Sequence, residues 1–327
     1  MKRRDFFLLM GGAAVWPAAA RAQQAALPLI GFVSGRARED SIRYGDAFRQ
    51  GLGETGIVEG RGATVEYHWL DGQYDQLPSL MSDFVRRRAA VIASPGSNPA
   101  ALAAKAATAT IPIVFGVGDD PVKLGLVASL ARPGGNATGI NFFAVEVASK
   151  QLSLLHELVP KAVRIAVLIN PANSTNTEAT LRDVLEAAST LGLQVQVLKA
   201  SNVSEIDAAF NELARERAEA LFIGPDAFLV SRRAQITVLA ARHGIPTAGV
   251  ARESVEAGEL MSYGTDTVDM YRQVGVYSGR ILKGAKPADL PVQQSTKFEF
   301  VINASTAKAL GLDVPPALLL RADAVIE

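Results

Sequence analysis

Short, almost wholly apolar runs recur along this chain with helix-patterned segments between them, and that recurrence constrains the fold more than any other feature. Residues 27–35 (LPLIGFVSG), 89–93 and 111–117 (IPIVFGV) are apolar at nearly every position. Such runs suit parallel strands covered on both faces. Residues 63–70 (ATVEYHWL) alternate instead and suit a strand at a sheet edge. Between them, 40–56 places Ile42, Ala47, Phe48 and Leu52 at helical spacing, and 77–85 does the same with Leu77, Leu80, Met81, Phe84 and Val85. An Ala-rich helix is predicted over 99–109. A second series begins near 164. Its strands are predicted at 164–169, 194–198, 220–223 and 245–248, and its helices at 176–191, 204–217 and 231–243. Both series contain a helix, then Ile-Pro, then a strand toward glycine, at 111–116 and 245–249. Repeated βαβ alternation implies an α/β fold of two Rossmann-like lobes, each a parallel sheet flanked by helices. The tail departs from the alternation. A helix over 270–282 ends at Lys283-Gly284, a strand covers 297–302, and helices are expected near 305–310 and 316–326.

The N-terminus reads as an address. Lys2, Arg3 and Arg4 precede an uncharged stretch from Phe6 to Ala20, and Ala20-Arg21-Ala22 supplies a small–x–small cleavage pattern. Residues 1–22 are therefore expected to be a secretory signal peptide. Arg3-Arg4-x-Phe6-Phe7 is similar to a twin-arginine signal, with plain secretion as the other route. The whole chain carries 33 basic and 33 acidic residues, and loss of the signal leaves a small acidic excess. That balance tells against a nucleic-acid partner. No apolar run reaches the ~18 residues of a membrane span. The chain has no cysteine, which removes disulfides, thiolate nucleophiles and thiolate metal sites together. With three histidines (His68, His156 and His243) a His-rich metal site is not expected.

Catalytic signatures are missing. The chain has no G-x-G-x-x-G after a strand, no P-loop, no H-E-x-x-H and no G-x-S-x-G elbow, since Gly275-Val-Tyr-Ser278-Gly279 has the wrong spacing. No catalytic residue, metal or cofactor is expected. His243-Gly244 reads as a helix C-terminus. Asp120, ahead of Pro121, reads as an N-cap, whereas Asp119 sits where ligands meet α/β sheets. Ligands bind beyond the carboxyl ends of parallel strands, where helices also begin. The residues predicted there are Ser34, Tyr74, Gly96, Ser97, Asn98, Asp119, Asn141 and Phe142 in the first series. In the second they are Asn170, Asn173, Asn176, Asp226 and Gly249, with Tyr263 ending a further run. Many of these residue types also serve as plain turn formers.

Several segments, taken in order, carry a family resemblance: Phe48-Arg-Gln-Gly-Leu-Gly-Glu-Thr-Gly56, Tyr74-Asp-Gln-Leu-Pro78, Ile111-Pro-Ile-Val-Phe115, Asp120-Pro-Val-Lys-Leu-Gly-Leu-Val127, Arg132-Pro-Gly-Gly-Asn136, Leu168-Ile-Asn-Pro171, Leu260-Met-Ser-Tyr-Gly264, Gly279-Arg-Ile-Leu-Lys-Gly284 and Lys297-Phe-Glu-Phe-Val-Ile-Asn303. From about 27 to 327 the chain resembles the ABC transporter substrate-binding proteins with a type I periplasmic-binding fold, the family that includes tryptophan-binding members. The resemblance implies two lobes joined by three crossover hinges, here 27–140 with 263–288 and 141–262 with 289–327. It implies a periplasmic monomer that closes on a small polar ligand, an amino acid or similar carboxylate, and hands it to a membrane permease driven by an ATPase. On that reading, N–H groups around Ser97 and Asn98, with Ser34, hold a carboxylate. Asp119 or Asp226 takes an ammonium, Tyr74, Phe142 or Tyr263 covers an apolar side chain, and Asn170, Asn173 and Asn176 add polar contacts. The chain departs from the family pattern at Thr247-Ala-Gly249, where relatives carry an aromatic residue and a proline. Smaller residues there reshape one wall of the cleft. Two alternatives remain at this point: a sensory ligand-binding protein on the same fold, or an exported α/β hydrolase.

Overall fold

A computed structural model describes residues 27–39, 41–143, 147–296 and 298–327. The export signal read over 1–22 lies outside the described residues. The described residues form thirteen strands: β1 (Leu29–Ser34), β2 (Thr64–Trp69), β3 (Val91–Pro95), β4 (Ile113–Val117), β5 (Ala137–Asn141), β6 (Arg164–Ile169), β7 (Gln194–Lys199), β8 (Ala220–Ile223), β9 (Thr247–Gly249), β10 (Met261–Thr265), β11 (Gln293–Gln294), β12 (Phe298–Asn303) and β13 (Ala324–Ile326).

They assemble into two sheets. The first runs β2-β1-β3-β4-β5-β11 and is parallel throughout. The second runs β7-β6-β8-β9-β10-β12-β13. Its first five strands repeat the order of the first sheet and are parallel, while β12 pairs antiparallel to β10. In each sheet the strand order reverses beside the first strand, which opens a crevice at the strand C-termini. Strands β3, β4 and β5 are buried at every residue, and β4 (IVFGV) is accordingly apolar throughout. The alternating strand β2 lies at the sheet edge, as its pattern predicts.

Helices cover both faces of each sheet. In the first lobe, Phe32, Tyr44, Phe48, Tyr271 and Val274 fill one face, and Met81, Phe84, Phe115 and Leu126 the other. In the second, Leu152, Leu155, Val184 and Phe300 lie opposite Phe210, Leu213, Leu229 and Ile236. The helices Ile42–Glu54 and Thr267–Leu282 pack so closely that their backbones touch. A Cβ at Gly51 would lie 1.8 Å from the Arg272 carbonyl oxygen, and one at Gly275 would lie 2.2 Å from that of Phe48. Glycine inside a helix costs about 1 kcal/mol relative to alanine. Here the close approach requires it, and the Gly275–Gly279 segment is a packing seam.

The chain passes between the sheets after β5, after β10 and after β11. Residues expected to return to the first lobe at 263 remain in the second sheet through Thr265, because β10 is held on its other edge by β12. The first lobe extends past 288, because Gln293–Gln294 pairs with β5. That two-residue polar strand has no apolar signature to reveal it. The helix expected over 316–326 stops at Arg321, and Ala324–Ile326 pairs with β12 instead.

Candidate functional site

The strand C-termini of the two sheets face one another, and the lobes touch across the gap. Glu253, from the second lobe, accepts a hydrogen bond from the Tyr44 hydroxyl. It also pairs with the first lobe's Arg36 at 3.3 Å and Arg43 at 3.1 Å. The Arg36 guanidinium lies 4.0 Å from the centre of the Tyr44 ring, a cation–π contact. A second bridge joins Arg232 of the second lobe to Asp71 of the first. Burial pushes Glu253 up, but Arg36, the Tyr44 hydroxyl and Arg43 outweigh it and hold its carboxyl below the usual range. Burial likewise works against the charge on Arg36, yet Tyr44, Tyr271 and Glu253 raise its pKa overall.

Beside this contact lies a cavity of about 50 Å³ lined by both lobes. The first lobe lines it with Arg36, Gly96, Asn98, Gly118, Thr267 and Tyr271, and Phe142 follows β5. The second lobe adds Asn173, Asn176, Pro225, Asp226, Ala227, Val230, Val250 and Ala251. Gly96 has φ +72°, and a Cβ there would stand 2.9 Å from the Tyr271 hydroxyl, so only glycine fits without strain.

The residues predicted from strand ends divide into two groups. Gly96, Asn98, Phe142, Asn173, Asn176 and Asp226 line the cavity. The others support it or lie apart. Ser34 is fully buried and its hydroxyl is 2.8 Å from that of Tyr271. Ser97 caps the helix Asn98–Ala107 by accepting from the Ala100 N–H at 3.3 Å. Asp119 accepts from Asn98 Nδ2 at 2.6 Å, and Asn98 Oδ1 accepts in turn from the Gly118 N–H. Asn141 Oδ1 accepts from the Phe143 N–H in the turn after β5. Gly249 borders a smaller adjoining cavity with Glu259. The Tyr74 hydroxyl is buried without a partner, and burial with nearby Asp226 and Tyr271 pushes it up. Tyr263 stacks on Phe298 at 5.8 Å within the second lobe.

Asp226 departs most from its expected role as an ammonium acceptor. Its Oδ1 accepts from the Phe228 and Leu229 N–H groups at 3.0 and 3.1 Å, capping the helix Ala227–Ser231. Asn170 Nδ2 reaches Oδ1 at 3.1 Å and Asn173 Nδ2 reaches Oδ2 at 3.0 Å. Burial still pushes its pKa up against these four bonds. The carboxylate is thus engaged internally and orients two asparagines. Asp120 accepts from the Val122 N–H at 2.8 Å, but residues 121–125 form turns rather than the helix that the N-cap reading expects.

The sequence reading missed Arg36, Tyr44, Glu253 and Tyr271. Arg36 lies two residues beyond Ser34 at a strand end, so the strand-end rule reaches it. The other three are on helices, and of these Tyr271 reaches the cleft through the return of the chain after β10. Among the described residues, no cluster of acidic and histidine side chains could hold a metal ion. No helix there is long and apolar enough to cross a membrane.

The model of the family described as ABC transporter substrate binding protein matches residues 27–326, and the chain belongs to that family. A tyrosine-binding protein of Clostridioides difficile (strain R20291) is 29% identical over 266 residues, covering 81% of this chain and 75% of the relative. The structure of an ABC domain in complex with L-Trp from Streptococcus pneumonia superimposes with TM-score 0.81 at 24% identity, over 92% of this chain and 100% of the other. A conserved domain protein from Vibrio cholerae O1 biovar El Tor gives the same TM-score at 27% identity, over 91% and 99%. The fold is the type I periplasmic-binding fold of two α/β lobes.

Proposed function

We propose that, as a member of the ABC transporter substrate-binding family, this chain captures a small amino or carboxylic acid between its lobes and delivers it to a membrane permease coupled to an ATPase. The observation that carries the reading is the cavity itself. Its wall is drawn from the strand ends of both sheets, and ion pairs cross between the lobes beside it. A ligand that touches both lobes is bound better when they are closed, so binding and closure are linked. The relatives' association with tyrosine and L-Trp supports an amino-acid ligand. The lining holds polar groups and aliphatic side chains but no nucleophile–base pair, which favours capture without chemistry. The leader over 1–22 fits export, and the chain acts as a periplasmic monomer by lobe closure, a two-lobed trap.

The test is a thermal-shift screen of the purified chain against amino acids, small and aromatic carboxylates, nucleosides and sugars. A ligand at ~100 times its Kd adds about 2.7 kcal/mol to stability, a readable rise in Tm. A rise confined to amino or carboxylic acids is the expected result. A rise only with sugars or nucleosides would refute the ligand class, and turnover of any hit would refute a purely binding role.

A further inference from the structure

Two buried polar atoms in the cavity wall lack partners, and they come from opposite lobes. Arg36 is 3% exposed and Asn173 is 6% exposed. Arg36 Nε and Asn173 Oδ1 make no hydrogen bond. Among the described residues that line this cavity, these are the two buried side-chain atoms so placed. Native interiors seldom leave such groups unmet, and an exception asks for an explanation.

The rest of each side chain is already fixed. Arg36 is held by its Nη2 contact to Glu253 and by the Tyr44 ring. Asn173 turns its Nδ2 toward Asp226, so its Oδ1 is fixed on the opposite side. One lobe therefore offers a preset N–H donor on a cation, and the other offers a preset oxygen acceptor. Both residues border the same space. Aliphatic side chains from Val230 and Val250 and the Phe142 ring complete the wall.

We infer that Arg36 and Asn173 are the specificity-determining pair of the cleft, holding from opposite lobes a small carboxylic acid that also bears an amino or hydroxyl group. The inference rests on the receptor reading above. The carboxylate oxygen accepts from the Arg36 Nε–H, and the ligand's N–H or O–H donates to Asn173 Oδ1. A charge-assisted bond of this kind discriminates more strongly than a neutral one. Because the pair spans both lobes, a molecule meeting only one of its halves gains less from closure.

Arg36 also touches Glu253, so a loss at Arg36 could reflect weaker lobe contact alone, and the test separates the two. Calorimetric titration uses the full chain and four probes: leucine, phenylalanine, glutamate and lactate. Each is set beside its primary amide and beside the counterpart lacking the amino or hydroxyl group. The unaltered chain is expected to prefer acid to amide at least tenfold. Arg36→Lys keeps the charge opposite Glu253 but removes the Nε–H, and brings that ratio toward one. Asn173→Ala brings the preference for the amino or hydroxy acid over its counterpart toward one. Glu253→Gln lowers affinity for every probe by a common factor and leaves both ratios in place. Should either variant fail to unfold cooperatively, Arg36→Gln and Asn173→Ser replace them. Unmoved ratios in the Arg36 and Asn173 variants overturn the pair while the receptor reading stands. Ratios moved as far by Glu253→Gln overturn it too. An unaltered chain that binds none of the probes overturns the ligand class and tells against the receptor reading itself.

Discussion

The two lobes follow the same strand order, yet they finish the third strand differently. After β3 the next helix begins at Ser97, a neutral hydroxyl that caps through one N–H. After β8 the next helix begins at Asp226, a carboxylate that takes two N–H groups and two asparagine amides. A neutral cap leaves the positive end of a helix able to attract an anion. A carboxylate cap uses that field internally. The first lobe therefore faces the cavity with donors and positive charge, from Arg36 and the helix behind Gly96. The second lobe faces it with oriented amides held by Asp226. One backbone plan supplies two half-sites of different polarity, which suits a ligand that is itself polarised.

The largest expected effect that sharpens this contrast is Asp226→Ala. It removes a cap worth ~1 kcal/mol and strips two buried amides of an acceptor, so stability should fall by about 3 kcal/mol in urea unfolding. A loss under about 1 kcal/mol would mean that the four bonds are not the organising contact of the second half-site.

Next in size is a pH effect inside the second lobe, where two buried glutamates behave oppositely. Glu253 is lowered by its partners despite burial. Its contribution is present above the ordinary carboxylate range and is lost as pH falls through its lowered folded value. Burial, with a smaller push from Glu253, raises Glu259 well above the usual value, and its Oε2 has no partner. Its contribution is full below the ordinary glutamate value and is lost as pH rises through the elevated folded one. Between pH 5 and 8 the unaltered chain should lose stability relative to Glu259→Gln, by at most about 1.4 kcal/mol per pH unit. Parallel melting curves for the two across that window would contradict this.

Ser97→Ala should cost least, about 1 kcal/mol of stability, through the lost cap alone. A loss equal to that of Asp226→Ala would erase the proposed difference between the half-sites.

The strand pattern was legible because buried parallel strands must be apolar on both faces, and each of the eight runs predicted before the tail forms a strand. Candidate residues were legible to the extent that strand ends point at the crevice, which located Asn98, Phe142, Asn173 and Asp226. Function within that set was not legible. Asp226 and Asp119 look alike in sequence, and only the structure shows that Asp226 is engaged by four donors. Arg36 sits in a charged run, Arg36-Ala-Arg38-Glu39-Asp40. Its burial comes from Tyr44 and from Glu253, 217 positions away. Gly249 shows how a local departure is misread in isolation. The sequence implies a reshaped wall there, and a Cβ at Gly249 would lie 3.0 Å from Glu259 Oε2, so the buried glutamate fills that space.

Lobe closure on a ligand can be followed directly because the chain has no cysteine of its own. Gln50 and Ser189 are exposed helix positions on the first and second lobes. Gln50→Cys and Ser189→Cys in one chain, labelled with a donor and an acceptor dye, report the distance between lobes by energy transfer. Titration with the amino or carboxylic acid that raises Tm most should change the transfer efficiency, with the same midpoint as the calorimetric binding curve. Saturating binding with unchanged efficiency would contradict capture by closure between the lobes.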